Sequence, residues 1–82
     1  MEHRNSLGQL HKEDGPAIIR DDGYKSWWIN GKLHRVGGPA IEWPNGTRCW
    51  YQNNCLHRED GPAVEYLGNQ GVWFKNGHMV NI

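Results

Sequence analysis

The chain repeats itself. The pair Leu-His occurs at Leu10-His11, Leu33-His34 and Leu56-His57, 23 residues apart each time. Each pair is followed by Gly-Pro-Ala, at Gly15-Pro16-Ala17, Gly38-Pro39-Ala40 and Gly61-Pro62-Ala63. Each unit also carries a Trp (Trp27, Trp50, Trp73) and, three residues on, an Asn (Asn30, Asn53, Asn76). Seven of 23 positions are identical in all three units. A fixed period of this length marks stacked units that bury their apolar faces against one another. Such an array displays the same side chains several times, which favours a binding surface over an enzyme. The units are 10–32, 33–55 and 56–78, with partial units at 1–9 and 79–82, all in a single repeat domain.

Nine basic and nine acidic residues give zero net charge with His neutral. A general nucleic-acid binder or a polybasic membrane anchor is strongly basic, so neither is expected. No apolar run approaches the ~20 residues of a membrane span, and the expected location is the cytoplasm. Cys49 and Cys55 have Ser26 and Val72, or Lys32 and His78, at their equivalent positions. A structural disulfide or zinc site would recur with the repeat, so both cysteines read as reduced thiols.

Within a unit, Gly-Pro-Ala leads into Ile18, Ile41 or Val64, and then into a turn signal: Asp21-Asp22-Gly23, Pro44-Asn45-Gly46 or Leu67-Gly68-Asn69. Asn-Gly between aromatic and β-branched residues is a strong hairpin signal. An aromatic-rich run follows (Tyr24–Ile29, Thr47–Gln52, Gln70–Lys75) and stops at Asn30-Gly31, Asn53-Asn54 or Asn76-Gly77, a second turn signal. The expected fold is all-β: three tandem hairpins in one elongated, twisted antiparallel sheet.

A two-residue Asn45-Gly46 turn would set Trp43 opposite Arg48, Glu42 opposite Cys49 and Ile41 opposite Trp50. Side chains alternate along a strand, so one face would hold Pro16, Pro39 and Pro62, Ile18, Ile41 and Val64, and Trp27, Trp50 and Trp73. That face is the expected core, with Arg20, Trp43 and Tyr66 at its end. The other would present Trp28, Tyr51 and Phe74 with Glu42 and Glu65. It is the expected partner-binding surface, with Arg35 and Arg48 beside it.

The run Gly38–Asn53 and the intact Leu-His-Arg-Glu-Asp-Gly-Pro-Ala at Leu56–Ala63 resemble the MORN family and its bacterial variants. The resemblance implies successive hairpins in a curved sheet that acts as a scaffold for partners. The Leu56–Ala63 variant is associated with proteins of large tailed phages and uncharacterised bacterial proteins. Trp27-Trp28, Trp50-Tyr51 and Trp73-Phe74 stand where a Tyr-Glu-Gly step is common, so the lipid binding proposed for MORN arrays is not carried over.

The histidines recur once per unit. Equivalent residues in such a sheet lie about 9–10 Å apart, too far to share a zinc ion at ~2 Å from each nitrogen. They are expected to hydrogen-bond within the inter-unit connections, and no metal or cofactor is expected. His-x-x-Asp occurs at His11/Asp14 and His57/Asp60, but the middle unit has Gly37 at the Asp position. A tight turn explains all three units, whereas acid–base catalysis explains two. No nucleophile recurs and no phosphate loop is present, so no enzymatic activity is expected. Lys12, Arg35 and Arg58 form a basic row, read as exposed ion pairs. Arg35 with Arg20, Lys25 and Arg48 could alternatively lie beside aromatics in a single-stranded nucleic-acid site.

The resulting expectation is a non-enzymatic module that binds a host protein. Its sharpest form is a phage-encoded stoichiometric inhibitor of a bacterial defence protein: a nuclease, a toxin or a CRISPR effector. The alternatives are an RNA-associated or antitoxin-like protein, and a scaffold that self-associates, with a homodimer through the sheet edges.

Overall fold

The loop Pro44-Asn45-Gly46 decides which way the following strand points its side chains. Trp43 N–H donates to Thr47 O at 2.9 Å and Gly46 N–H to Trp43 O at 3.0 Å. Gly46 sits at φ 93°, a left-handed conformation that suits glycine. The loop therefore has three residues, the next most common hairpin connection after the two-residue turn. Arg20 and Tyr24 close the first unit's loop in the same way, with Arg20 N–H to Tyr24 O at 2.9 Å.

The computed structural model describes residues 1–68 and 70–80. Its strands, in chain order, are β1 (Ile18–Ile19), β2 (Lys25–Ser26), β3 (Trp28–Ile29), β4 (Lys32–Leu33), β5 (Ile41–Glu42), β6 (Arg48–Cys49), β7 (Tyr51–Gln52), β8 (Cys55–Leu56), β9 (Val64–Tyr66), β10 (Gln70–Val72), β11 (Phe74–Lys75) and β12 (His78–Met79). The chain is all-β. Six strands form one antiparallel sheet in the order β1-β2-β5-β6-β9-β10, and β3-β4, β7-β8 and β11-β12 form separate two-stranded hairpins. The expectation of a single sheet is thereby corrected.

Each aromatic-rich run breaks at its Trp. Trp27 N–H donates to Ala40 O (2.8 Å) and Trp50 N–H to Ala63 O (2.7 Å), each in the following unit. Their carbonyls accept from His34 N–H (3.1 Å) and His57 N–H (3.0 Å). The chain thus leaves the six-stranded sheet at each Trp and starts a second hairpin. The turns of those hairpins, Asn30-Gly31, Asn53-Asn54 and Asn76-Gly77, hold both residues at φ between 49° and 82°. That is the two-residue type I′ turn, for which Asn-Gly is suited. Backbone bonds tie the second row together in sets spaced by 23 residues: Gly31 N–H to Leu10 O, Asn54 N–H to Leu33 O and Gly77 N–H to Leu56 O, at 2.8–2.9 Å.

With three-residue loops, the observed register is Ile41↔Cys49 and Glu42↔Arg48. It is one residue off the expected pairing, and a one-residue slip turns every side chain to the other face. One continuous row across the sheet is Ile18–Ser26–Ile41–Cys49–Val64–Val72. It faces the core, where Ile18, Tyr24 and Ile41 are buried and Leu10, Trp28, Leu33, Cys49 and Tyr51 pack against them. Ala17, Ala40 and Ala63 are fully buried, which accounts for a small side chain in all three units. Ile18, Ile41 and Pro39 are buried as expected of core residues, and Val64, Pro16 and Pro62 are half-buried.

Two face assignments are overturned. Trp27, Trp50 and Trp73 fall on the face opposite Ile18, Ile41 and Val64, and each is half-buried. Trp28 and Tyr51, expected to meet a partner, pack on the core instead. Phe74, at the equivalent position, is half-buried. The outer row of the sheet reads Ile19–Lys25–Glu42–Arg48–Glu65–Gly71. Its charges alternate in sign across four neighbouring strands, a favourable cross-strand arrangement.

Candidate functional site

The outer face repeats one device. The Arg35 guanidinium carbon lies 3.9 Å from the ring centre of Trp27, and that of Arg58 lies 3.9 Å from Trp50. Each Arg belongs to the unit after its Trp. Each also donates to the Pro carbonyl of its own loop, Arg35 to Pro39 O and Arg58 to Pro62 O, both at 3.1 Å. The carboxylates follow on the next strand: Glu42 at 3.6 Å from Arg35 and Glu65 at 2.8 Å from Arg58. A Cβ added at Gly38 or Gly61 would come within 2.9 Å or 2.7 Å of the guanidinium. The Gly of Gly-Pro-Ala lets the Arg lie across it; a Cβ there would push the flexible end of the Arg aside. In the first unit Lys12 replaces Arg, and a Cβ at Gly15 would meet nothing closer than 3.7 Å.

The histidines serve the backbone. Asn30, Asn53 and Asn76 each donate their N–H to Nδ1 of His11, His34 and His57, at 2.9, 3.2 and 3.0 Å. An accepting Nδ1 places the ring proton on Nε2. In two units Nε2 faces a carboxylate, His11 to Glu13 at 3.5 Å and His57 to Glu59 at 3.0 Å. Asp60, three residues after His57, lies 3.1 Å from Arg58, while His57 Nε2 faces Glu59. Among the described residues no group of three or more His, Cys, Asp or Glu is arranged to hold a metal ion.

Two grooves of about 530 and 510 Å³ lie between successive Leu-His loops. One is lined by Trp27, His34 and Arg35 and the other by Trp50, His57 and Arg58. Each is lined by an Arg–Trp stack whose guanidinium also has a carbonyl and a carboxylate partner within the chain.

Exposed apolar side chains lie at the tips of the six-stranded sheet. Trp43 is 43% exposed, Tyr66 49% and Leu67 81%. Trp43 and Tyr66 alternate with Glu42 and Glu65, so they point to the same side as Ile41 and Val64. Trp43 packs edge-on against the buried ring of Tyr24, with centroids 4.8 Å apart. Leu67 leans over the neighbouring loop, its Cδ1 3.3 Å from a Cβ built on Gly46. The result is an apolar rim continuous with the core and open to solvent. The sequence sets Trp43 and Tyr66 at the end of the core face; the structure keeps them on that side but leaves them half-open at the sheet's tip, beyond the packed core. A visible signal was that the equivalent position holds Arg20, a residue poorly suited to a core.

Of the residues expected to bind a partner, Arg35, Glu42, Arg48 and Glu65 come together on the outer face, while Trp28 and Tyr51 lie on the opposite side. The four charged residues are joined to one another or to loop carbonyls, Arg48 to Glu65 at 3.0 Å. Both cysteines are free thiols, Cys55 exposed and Cys49 half-buried. Burial pushes the Cys49 thiol up from 9.0, partly offset by a hydrogen bond from Trp43. Burial also raises the Tyr51 phenol, with smaller contributions from Cys49 and Tyr24. Among the described residues no helix is long and apolar enough to cross a membrane. No known family model matches the chain, and comparison with curated proteins and with solved structures finds no match in either.

Proposed function

We propose that this chain is a non-enzymatic protein-binding module that docks through the rim formed by Trp43, Tyr66 and Leu67. The observation that carries this reading is the exposure of two aromatics and a leucine on one rim, in continuity with the core. Contiguous exposed apolar surface marks interaction sites, and Trp and Tyr dominate the energetics of interfaces. The sharper form is a phage-encoded stoichiometric inhibitor of a bacterial nuclease, toxin or CRISPR effector, acting in the host cytoplasm. That form rests on the resemblance carried by Leu56–Ala63. An RNA-associated role has less support, since Arg35, Arg48 and Arg58 each face a carboxylate.

The test is phage infection of bacteria carrying each class of defence system. The wild-type chain is expected to restore plaque formation in at least one strain. The variant Trp43→Ser/Tyr66→Ser/Leu67→Ser, with its fold intact, is expected not to, because each anchor contributes on the order of 2 kcal/mol. Absence of rescue in every strain would refute the inhibitor reading. Equal rescue by the triple variant would refute the rim as its contact.

A further inference from the structure

We infer that a second copy of this chain docks head to tail, with β1 of one molecule pairing onto β10 of the next. The inference begins with an interface that the molecule already contains twice. Where β2 meets β5, and where β6 meets β9, a Gly-Pro-Ala strand pairs with the second strand of the preceding unit. The register is constant: Ile41 pairs with Ser26 and Val64 with Cys49, both 15 residues apart. Each junction also has the Trp N–H bound to the Ala carbonyl and an Arg stacked on that Trp.

Both halves of this junction occur once more, unmatched to each other. Among the described residues β10 pairs only with β9. The residue 23 positions beyond Arg58 is Asn81, so the sequence supplies no guanidinium for Trp73. At the opposite end, Lys12 holds the Arg position, but Arg4 stands where its Trp would be. The outer edge of β1 is covered by the first few residues, with Glu2 opposite Ile18 and Arg4 opposite Leu10. The separation from Glu2 to Ile18 is 16 residues rather than 15. This cap is therefore one residue out of the register used at both internal junctions. Against Ala17–Ile19 it is held by His3 N–H to Ala17 O at 2.8 Å, Ile19 N–H to Met1 O at 2.9 Å and the amino terminus to Ile19 O at 2.7 Å, and against the segment that follows it by Asn5 N–H to Gln9 O at 2.9 Å, Gly8 N–H to Asn5 O at 3.0 Å and His11 N–H to His3 O at 3.0 Å.

Displacement of residues 1–5 exposes a Gly-Pro-Ala-Ile strand that matches β10 of another copy. The repeat register pairs Val72 with Ile18 of the second copy and sets its Lys12 over Trp73. The Trp73 N–H gains the Ala17 carbonyl, as Trp27 and Trp50 gain Ala40 and Ala63. Open edges pair readily with strands of this kind, and a junction between unlike ends extends into a chain of molecules rather than closing as a dimer.

The test is sedimentation velocity over a range of concentrations. Deletion of residues 1–5, and separately His3→Pro, which removes the bond to Ala17 O without shortening the chain, should strengthen self-association about tenfold. The products should grow beyond dimers. In either background Lys12→Arg should strengthen assembly and Lys12→Glu should weaken it, because only the head-to-tail junction places residue 12 on Trp73. A folded cap variant that stays monomeric at all concentrations would overturn the inference. So would assembly that stops at dimers and ignores the charge at residue 12.

Discussion

Arg58 joins four groups at once: the Trp50 ring, the Pro62 carbonyl, Glu65 and Asp60. Two of these contacts reach into neighbouring strands, and the guanidinium is largely withdrawn from water. Arg58→Ala should cost about 2 kcal/mol in urea unfolding, from one charged hydrogen bond and one partly desolvated cation–π contact. Gly61→Ala should cost less than that, because the flexible end of the arginine can shift, while loosening its stack on Trp50. The same substitution at Gly15, beside the looser Lys12, should cost less. The raised Cys49 and Tyr51 values give a pH dependence with a definite sign. Both groups keep their protons more tightly when folded, so the unfolded chain ionises first. Stability is then fully present below the ordinary thiol value of 9.0 and falls as pH rises through the elevated folded values. Thermal melts from neutral to alkaline pH should show this fall. Cys49→Val, which borrows the residue at the equivalent Val72 position, should reduce it. Alkylation should modify exposed Cys55 well before Cys49.

At the scale of the element, much depends on whether a turn has two residues or three. Gly46→Ala should cost about 1 kcal/mol, because alanine is strained at φ 93°. Deleting Asn45 should be far worse. A two-residue turn would slip β6 against β5 and turn Cys49 out of the core, which loss of the cooperative melt would reveal. Much of this level was legible in the sequence. The period, the hairpin before each Gly-containing turn and the structural use of the histidines all followed from residue type and spacing. Two features did not. Asn-Gly serves a type I′ turn at Asn30-Gly31 and closes a three-residue loop at Asn45-Gly46, and flanking residues alone do not separate the two. The Trp corners were hidden as well. Nothing local distinguishes Trp50 from Tyr51; the difference arises because the Trp50 N–H meets Ala63 in the next unit. A single uncertain turn length therefore exchanged Trp27, Trp50 and Trp73 for Trp28 and Tyr51 on the core side, while Ile18, Ile41 and Val64 kept their face.

At the scale of the whole molecule, a thin array of 42 × 26 × 16 Å cannot bury nine aromatic residues equally. Seven of them fall into three environments, and Trp73 and Phe74 are half-buried. Tyr24, Trp28 and Tyr51 belong to the core, Trp27 and Trp50 lie beneath arginines, and Trp43 and Tyr66 are left at the rim. The first two groups hold the units together, which leaves the third available to a partner. The most direct measurement compares two triple variants, each followed by circular-dichroism melting and by capture of a bound protein. The account predicts that Trp43→Ser/Tyr66→Ser/Leu67→Ser melts within a few degrees of wild type and loses its partner, whereas Trp28→Ser/Tyr51→Ser/Phe74→Ser does not fold. A rim variant that unfolds, or an inner variant that stays folded while losing the partner, would contradict it.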